Sequence, residues 1–327
     1  MRKPVEMETA YPIELHDGVV ATTIDVWEML NASLSGDLRR VSELVEQIPG
    51  LLTCQFDYTS PIHFAVREGH YELVRYFVEA GALDPGYWVH PFKDPLVSVA
   101  FARGFDEIAR YLVRSLEDPT RSRAWGDTGK IDFLKDDARI RFQQLVDEGK
   151  HSDVEAMLEE RPDLALDKVA FWGEGILCMP AKNGDRRMLE LLMRHDAWIP
   201  ELSKWGARYY FKDLETGKFL LEAGMNPNHM NWREFTLLHD MAFTGDVEKA
   251  RLLLDHGADF DAIDDEYSST PLGYAARWGN REIVSLLLKR GADPNKAGAP
   301  WATPLAWAIK KGHAEIETDL RHAGAVS

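Results

Sequence analysis

The sequence predicts an all-α solenoid of about nine helix–turn–helix repeats. The clearest observation is self-similarity, because residues 236–259 match residues 270–293 after a shift of 34 positions. Self-similarity at this period is typical of stacked-repeat architectures. A second observation is a series of glycines that recurs every 33 or 34 residues, at Gly224, Gly257, Gly291 and Gly324.

A single repeat shows why each unit is expected to fold as two helices. Thr270 is a favourable N-cap, and Pro271 stands at the first helical position, where a missing N–H is not needed. We expect Gly279 to end the first helix and Gly291 to end the second. Apolar residues recur at helical spacing in both segments, at Leu272, Ala275, Ala276, Ile283, Leu286 and Leu287. One unit cannot bury this apolar face alone, whereas stacked units can.

Repeats of this kind can be followed along most of the chain. Residues 1–25 are predicted to be an irregular lead-in, and residues 26–116 to contain repeats one to three. Residues 117–138 combine proline, glycine and mixed charges, so they are predicted to be an insertion loop. Residues 139–327 are predicted to contain repeats four to nine, ending in a polar C-terminal cap. Pro180 falls inside the first helix of the fifth repeat, where it is expected to disturb the helix.

Composition narrows the functional classes. The chain has 327 residues, of which 45% are apolar, so it can form a substantial core. Its formal net charge of −16 argues against binding to nucleic acid or to an anionic membrane. Two cysteines, Cys54 and Cys178, do not suggest a disulfide framework, and we therefore expect a reducing, cytoplasmic compartment. No apolar run of about 18 residues is present, so no transmembrane helix is expected.

The repeat pattern itself points to a family. Thr-Pro-Leu-x-x-Ala-Ala-x-x-Gly, followed by Leu-Leu-Leu-x-x-Gly-Ala-Asp-x-Asn, resembles the ankyrin repeat. The resemblance extends over nearly the whole chain from about Val26 and is strongest after Ser203. It implies stacked helix pairs, a concave groove and a role in binding other proteins, as in most members of that family. It also implies that His63 and His239 are structural residues that hydrogen-bond a neighbouring loop.

Motifs for catalysis and cofactor binding are absent from the sequence. It contains no Gly-x-x-x-x-Gly-Lys-Ser/Thr, no Gly-x-Ser-x-Gly, no His-Glu-x-x-His and no paired Cys-x-x-Cys. Eleven histidines are present, but they lack the spacing of metal ligands. We therefore expect neither a cofactor nor a metal site.

Aromatic side chains mark the predicted binding surface. In the eighth repeat the apolar stripe is expected to be buried, so Tyr274, Arg277 and Trp278 are expected to point into the groove. Any single tryptophan is as well explained by packing on a neighbouring loop. As a set, however, exposed aromatic residues rimmed by charge indicate a binding site. The predicted binding residues are Trp172, Tyr210, Trp232, Tyr267, Tyr274, Arg277, Trp278, Trp301 and Trp307.

Two functions fit these features. The favoured one is an interaction module, expected to be monomeric, that binds a protein partner in the aromatic and acidic groove. The alternative is an enzyme or small-ligand binder, such as a glycoside hydrolase, with a carbohydrate-like molecule stacked on the tryptophans. Two carboxylates would then act as acid and base, and the candidates are Glu174, Asp240, Asp265 and Glu266. Carboxylates are common on an acidic surface, which favours the interaction module.

Overall fold

The molecule is organised as a series of helix pairs. The computed structural model describes residues 1–15, 18–125, 130–131 and 137–326. Within these residues nine helix pairs follow one another and strands are short, which confirms the predicted all-α fold class. The chain divides into two compact units. We call Glu6–Leu134 the N-terminal unit, and Lys135–Ser327 together with Met1–Val5 the C-terminal unit.

The N-terminal unit contains three helix pairs. Its helices are α1 Thr23–Ser35, α2 Leu38–Gln47, α3 Pro61–Arg67, α4 Tyr71–Glu79, α5 Leu96–Ala102 and α6 Asp106–Leu116, with a 3-10 turn at Pro49–Thr53. The first helices α1, α3 and α5 pack in series, and so do the second helices α2, α4 and α6. Another 3-10 turn, Val5–Met7, precedes α1.

Short strands occur in the N-terminal unit. They are β1 Pro12–Glu14, β2 Val20–Thr22, β3 Trp88–Val89, β4 Asp94–Pro95 and β5 Lys130–Ile131. β1 lies between β2 and β5 in an antiparallel sheet, and β3 pairs with β4. The predicted insertion at residues 117–138 lies partly outside the described residues, and β5 is its described strand.

The C-terminal unit contains six helix pairs and one extra helical turn, α9, among its described residues. Its first three pairs and α9 are α7 Asp137–Asp147, α8 His151–Glu160, α9 Ala170–Gly173, α10 Cys178–Asn183, α11 Arg186–Arg194, α12 Gly206–Tyr209 and α13 Leu214–Glu222. The last three pairs are α14 Leu237–Thr244, α15 Val247–Asp255, α16 Pro271–Trp278, α17 Arg281–Lys289, α18 Pro304–Lys311 and α19 Ala314–His322. Further 3-10 turns lie at Pro162–Leu166 and Pro300–Ala302.

The eighth repeat shows how the local signals produce this packing. The Thr270 hydroxyl accepts a hydrogen bond from the Gly273 amide and caps α16, which begins at Pro271. Gly279 ends the helix with φ of 79°, a conformation that glycine adopts without strain. The side chains predicted for the buried stripe of α16 are fully buried between α14 and α18. Burial of such stripes in successive repeats forms the core of the unit.

Pro180 does not distort its helix as the sequence predicted. The helix α10 begins only at Cys178, so Pro180 lies in the first turn. Backbone N–H groups of the first turn have no partner within a helix, and a proline therefore removes no hydrogen bond there. Gly184, with φ of 66°, then ends α10 in the same way as in the other repeats.

Candidate functional site

The candidate site lies on one side of the C-terminal unit. The first helices of its pairs, α7, α10, α12, α14, α16 and α18, pack in series. We call the surface that these helices and the loops before them form the first-helix face. All four candidate carboxylates and the predicted binding residues belong to these helices or loops, except Tyr210, which directly follows α12.

Arg277 is enclosed by aromatic rings in the eighth and ninth repeats. Its guanidinium carbon lies 4.2 Å from the ring centre of Tyr267, 4.7 Å from that of Trp278 and 4.0 Å from that of Trp307. Only 5% of the Arg277 surface is exposed. A cation in contact with three ring faces is held by cation–π attraction that is strengthened by loss of water. This aromatic enclosure is therefore filled by a side chain of the protein itself.

Tyr274 and Asp264 hold the adjacent loop in place. The Tyr274 hydroxyl donates a 2.8 Å hydrogen bond to Asp264 Oδ2, and both residues are buried. The Asp264 carboxylate also accepts the backbone N–H groups of Glu266, Tyr267 and Ser269. Burial nevertheless raises the pKa of Asp264 to about 6, because desolvation outweighs these hydrogen bonds. The arrangement fixes the backbone before α16.

Trp307 and Trp301 lie on the other side of the same cluster. Trp307 is buried, and its Nε1 donates a 2.8 Å hydrogen bond to Ser269 Oγ. Trp301 is half-buried and packs edge-on against Trp307 with ring centres 5.9 Å apart. Trp278 is also half-buried, since it stacks on Tyr274 at 5.1 Å. These rings chiefly contact one another.

The expectation that the predicted aromatic set lies exposed in a groove is therefore wrong for most of its members. The buried ones are Tyr210, Trp232, Tyr267, Tyr274, Arg277 and Trp307. The physical reason is that the loops before the first helices place Trp232 and Tyr267 onto the stack, and that Tyr274, Arg277 and Trp307 of the helices pack against Tyr267. A stacked carbohydrate or a cationic ligand would find few of these ring faces open.

Two of the candidate carboxylates are engaged in structural contacts. Glu174 is fully buried, and its Oε1 accepts the backbone N–H groups of Lys204 and Trp205 at 3.0 and 3.1 Å. The hydroxyl of Tyr210 donates to the Glu174 carbonyl. Glu266 is buried as well and lies 3.4 Å from Arg233 Nη1. Both carboxylates are thus committed to partners within the fold.

The first residues of the chain lie on the same loops. The Arg2 amide donates a 2.8 Å hydrogen bond to the Trp232 carbonyl, and the Arg2 guanidinium reaches Glu201 at 3.3 Å. The Met1 amino group lies 3.5 Å from Asp265 Oδ2. Trp232 and Asp265 are consequently covered in part by the chain's own residues.

Among the four candidate carboxylates, Asp240 is the one that lies on a first helix, α14, and it is half-buried. Desolvation raises its pKa to about 6. The nearby cations Arg208 and Lys249 oppose this shift, and Asp246 adds to it. The carboxylate therefore belongs to a neighbourhood with two positive charges.

Trp172 differs from the rest of the predicted set, because 59% of its surface is exposed. It lies beside a cavity of about 330 Å³ on the first-helix face. The lining residues are Ile140, Gln143, Gln144, Asp147, Phe171, Trp172 and Met179. Ile140, Gln143, Gln144 and Asp147 have the i, i+3, i+4, i+7 spacing of one helix face. The sequence analysis did not single out this stripe of α7, although its spacing could have revealed it.

The backbone beside the cavity is held in an unusual conformation. Phe171 has φ of 46° and Trp172 has φ of 62°, so two bulky residues adopt the left-handed region in succession. This region costs about 1–2 kcal/mol for a non-glycine residue. The Phe171 amide donates to Gln143 Oε1 at 3.1 Å, and Lys204 Nζ donates to the Trp172 carbonyl at 2.6 Å. These contacts hold the exposed indole above the cavity.

His239 has the structural role that the family resemblance implied. Its Nε2 lies 3.0 Å from the Ser269 carbonyl, and its Nδ1 lies 2.8 Å from the Thr236 hydroxyl. Burial lowers the pKa of His239 to about 4, so the ring is neutral near pH 7. In the described part of the chain, no cluster of three or more His, Cys, Asp or Glu side chains is arranged to hold a metal ion. Nor does any helix there combine the length and apolar character needed to cross a membrane.

Comparisons with known proteins agree with the fold. A family model of three ankyrin repeats matches residues 204–297, and a model of one ankyrin repeat matches residues 57–87. Together with the stacked helix pairs, these matches define the class of protein. By these matches, the chain contains ankyrin repeats.

Several curated proteins are similar to the chain. The ankyrin repeat protein nuc-2 of Neurospora crassa is 24% identical over 319 residues, covering 88% of this chain and 27% of nuc-2. The mouse 2-5A-dependent ribonuclease is 45% identical over 60 residues, covering 18% of this chain and 8% of the ribonuclease. A putative ankyrin repeat-containing protein of Treponema pallidum is 32% identical over 111 residues, covering 34% of this chain and 37% of that protein. The chain thus spans less than two fifths of the length of each of these relatives.

Proposed function

We propose that this chain is a binding module that takes a protein partner on the first-helix face of its C-terminal unit. Ankyrin repeats in general suggest a protein-interaction module. The observation that carries the specific proposal is the exposed Trp172 beside the 330 Å³ cavity. An exposed indole next to an apolar cavity is typical of the centre of an interface rather than of an ordinary protein surface.

The strained loop supports the same proposal. Two successive residues in the left-handed region, Phe171 and Trp172, destabilise the isolated protein. Such strain is found mostly where a side chain must be held in a defined position for binding. An indole that is already ordered loses little conformational entropy when a partner contacts it.

The alternative, a hydrolase that acts on a carbohydrate-like molecule, has less support. Such an enzyme needs two carboxylates that face the substrate. Glu174 and Glu266 are instead buried and hydrogen-bonded or ion-paired within the fold. The aromatic rings that would stack a sugar surround Arg277. The carboxylates with some exposure, Asp240 and Asp265, are the residues on which this alternative now depends.

The setting of the module follows from its cysteines and surface. Cys54 and Cys178 are buried, and neither forms a disulfide. We therefore propose that the protein functions in the reducing environment of the cytoplasm, and we retain the expectation that it is a monomer. Its net charge of −16 disfavours nucleic acid and anionic membranes as partners.

Affinity capture from a lysate of the source cell tests this function. Trp198 provides a matched control, since it is 48% exposed and also lies in the C-terminal unit. We expect a protein that is captured by the wild-type chain and by Trp198→Ala, but not by Trp172→Ala. With that protein purified, Trp172→Ala should raise Kd at least about tenfold.

Equal capture by both tryptophan variants would contradict the proposed site. A screen with chromogenic glycosides tests the alternative function. Turnover that disappears in Asp240→Asn while substrate binding is kept would favour the hydrolase instead.

A further inference from the structure

The exposed charge of the first-helix face differs from that of the whole chain. Although the net charge is −16, cations lie at the carboxyl ends of α10 and α12. Lys182 lies in the last turn of α10, Arg208 lies in α12, and Lys212 follows α12. Lys212 and Arg208 are exposed and Lys182 is half-exposed. We call these three residues the cationic cluster.

Contacts show that the members of the cationic cluster lie close together. Lys212 Nζ donates a 3.2 Å hydrogen bond to the Lys182 carbonyl. Lys182 Nζ lies 5.8 Å from the ring centre of Tyr209, the residue next to Arg208. This series of contacts continues to the seventh repeat, where Lys249 Nζ donates a 2.9 Å hydrogen bond to the Lys212 carbonyl. The positive charges are thus adjacent across three repeats.

Acidic residues near the cluster are largely committed to other contacts. The carboxylates of Asp185, Asp213 and Asp246 each accept a backbone N–H and cap the second helices α11, α13 and α15. Asp246 also lies 3.0 Å from Lys249 Nζ. Capping directs these carboxylates to the helix N-termini, whereas the side chains of Arg208 and Lys212 are exposed. Asp240 is a further, half-buried acid near Arg208, so the positive charge at this place is carried by the exposed side chains of the cluster itself.

The cationic cluster is continuous with the Trp172 cavity. Met179 lines the cavity, and Lys182 lies one helical turn after it on the same face of α10. Asp147, by contrast, lines the cavity itself. An extended ligand that crosses α10 thus meets an apolar cavity with one acid first and a positive region next.

We propose that the first-helix face takes an acidic peptide segment, with an apolar or aromatic side chain in the Trp172 cavity and carboxylates beside Lys182, Arg208 and Lys212. The inference rests on the proposed function and names the chemistry of its partner. Charge complementarity selects a negative segment, and the acid in the cavity disfavours a second carboxylate there. A short peptide is favoured over nucleic acid because a long polyanion would also meet the acidic remainder of the chain.

Selection from a library of short random peptides displayed on phage tests the inference. The test variant reverses the cluster, Lys182→Glu with Arg208→Glu and Lys212→Glu. The matched control reverses three exposed cations on second helices, Arg187→Glu, Arg251→Glu and Lys289→Glu, which changes the net charge equally. A neutral variant with glutamine at the three cluster positions provides a check should the reversed variant not fold.

We expect the wild-type chain and the matched control to enrich peptides that pair an apolar residue with several acids. A synthetic, fluorescein-labelled form of such a peptide should bind the charge-reversed variant at least about tenfold more weakly than it binds the wild type. The loss of affinity in the glutamine variant should be smaller. The peptide's affinity for the wild-type chain should also fall with added salt.

Three results would overturn the inference in distinguishable ways. The selected peptides could depend on Trp172 but show no preference for acids and bind the charge-reversed variant as tightly as the wild type. This result would contradict the acidic partner and leave the proposed function intact. No peptide that depends on Trp172 or on the cluster would contradict both. A single-stranded oligonucleotide that binds through the same three cations more tightly than any peptide would replace the acidic peptide with nucleic acid.

Discussion

The guanidinium carbon of Arg277 lies 4.0 Å from the ring centre of Trp307, in the next repeat. This contact joins α16 to α18 and closes the aromatic enclosure that Tyr267 and Trp278 complete. A position that the sequence pattern assigned to ligand binding therefore links two repeats. Residues such as Arg277 therefore hold the stack together, and they differ from exposed residues such as Trp172 that a partner can contact.

Arg277→Ala is expected to destabilise the protein. The change removes a buried cation from three ring faces and leaves a void among them, so we expect the free energy of unfolding to fall by about 2–4 kcal/mol. The exposed Lys310, which lies 5.4 Å from the same Trp307 ring, serves as the control. Lys310→Ala should change the stability by less than about 0.5 kcal/mol. Urea denaturation measures both, and equal small effects would show that the enclosure adds no stability.

Glu174 is expected to act as a structural residue rather than as a catalyst. Its carboxylate accepts the backbone N–H groups of Lys204 and Trp205 in a fully buried place. Glu174→Ala leaves these donors without that acceptor and should lower the free energy of unfolding by about 2–3 kcal/mol. Glu174→Gln keeps one acceptor oxygen and should lose less. Glu174→Ala with wild-type stability in thermal unfolding would contradict this role.

The left-handed conformation of Trp172 makes a separate prediction. Because glycine adopts φ near 62° without strain, Trp172→Gly should be more stable than Trp172→Ala by about 1 kcal/mol. The exposed indole contributes little to the core, so both variants should fold. Chemical denaturation of the two variants gives the difference. If alanine were the more stable of the two, the loop would not carry the strain inferred here.

The pH dependence of stability is expected to reflect His229. Its Nε2 lies 2.7 Å from Ser203 Oγ, and burial lowers the pKa of His229 to about 4. The unfolded chain, with a histidine pKa near about 6.5, binds the proton more readily. His229 therefore favours the folded state at pH values above the unfolded pKa, and this advantage is lost as the pH falls from about 6.5 towards 4. Between pH 7 and 5 the loss should amount to about 2 kcal/mol.

A comparison with His229→Gln isolates this effect. Asp240 and Asp264, whose pKa values burial raises to about 6, act in the opposite sense, since their folded forms bind protons more tightly between about pH 4 and 6. The total pH curve therefore mixes the two contributions. The difference in unfolding free energy between the wild type and His229→Gln should shrink as the pH falls from 7 to 5. A difference that stays constant would contradict the assignment.

The fold could be predicted because its signals are local. Thr270 at the N-cap, Pro271 at the first position and Gly279 at the carboxyl end specify one helix, and the same residue types recur with a fixed period. The effect of Pro180 was misjudged because α10 begins only at Cys178, which places the proline in the first turn. A repeat pattern locates helix ends less precisely than helix centres, so a difference of one turn was not visible in the sequence.

The candidate site was less predictable for a related reason. The sequence pattern identifies which side chains of a first helix lie outside its buried apolar stripe. It does not show whether a neighbouring loop covers those side chains. Tyr274 can be buried because its hydroxyl donates a hydrogen bond to Asp264, and Arg277 is buried because rings from two repeats surround it. Trp172 stays exposed. The cationic cluster escaped notice because Lys212 and Lys182 come together only through the stacking of repeats.

The most direct test of the account is hydrogen–deuterium exchange of the full chain with and without the captured partner. The account predicts that amide protection on binding is concentrated in residues 140–147, 171–183 and 204–212, which contain the cavity and the cationic cluster. The second helices α11, α15 and α17 should exchange as in the free protein. Protection confined to those second helices, or to the N-terminal unit, would contradict the claim that the first-helix face around Trp172 is the binding site.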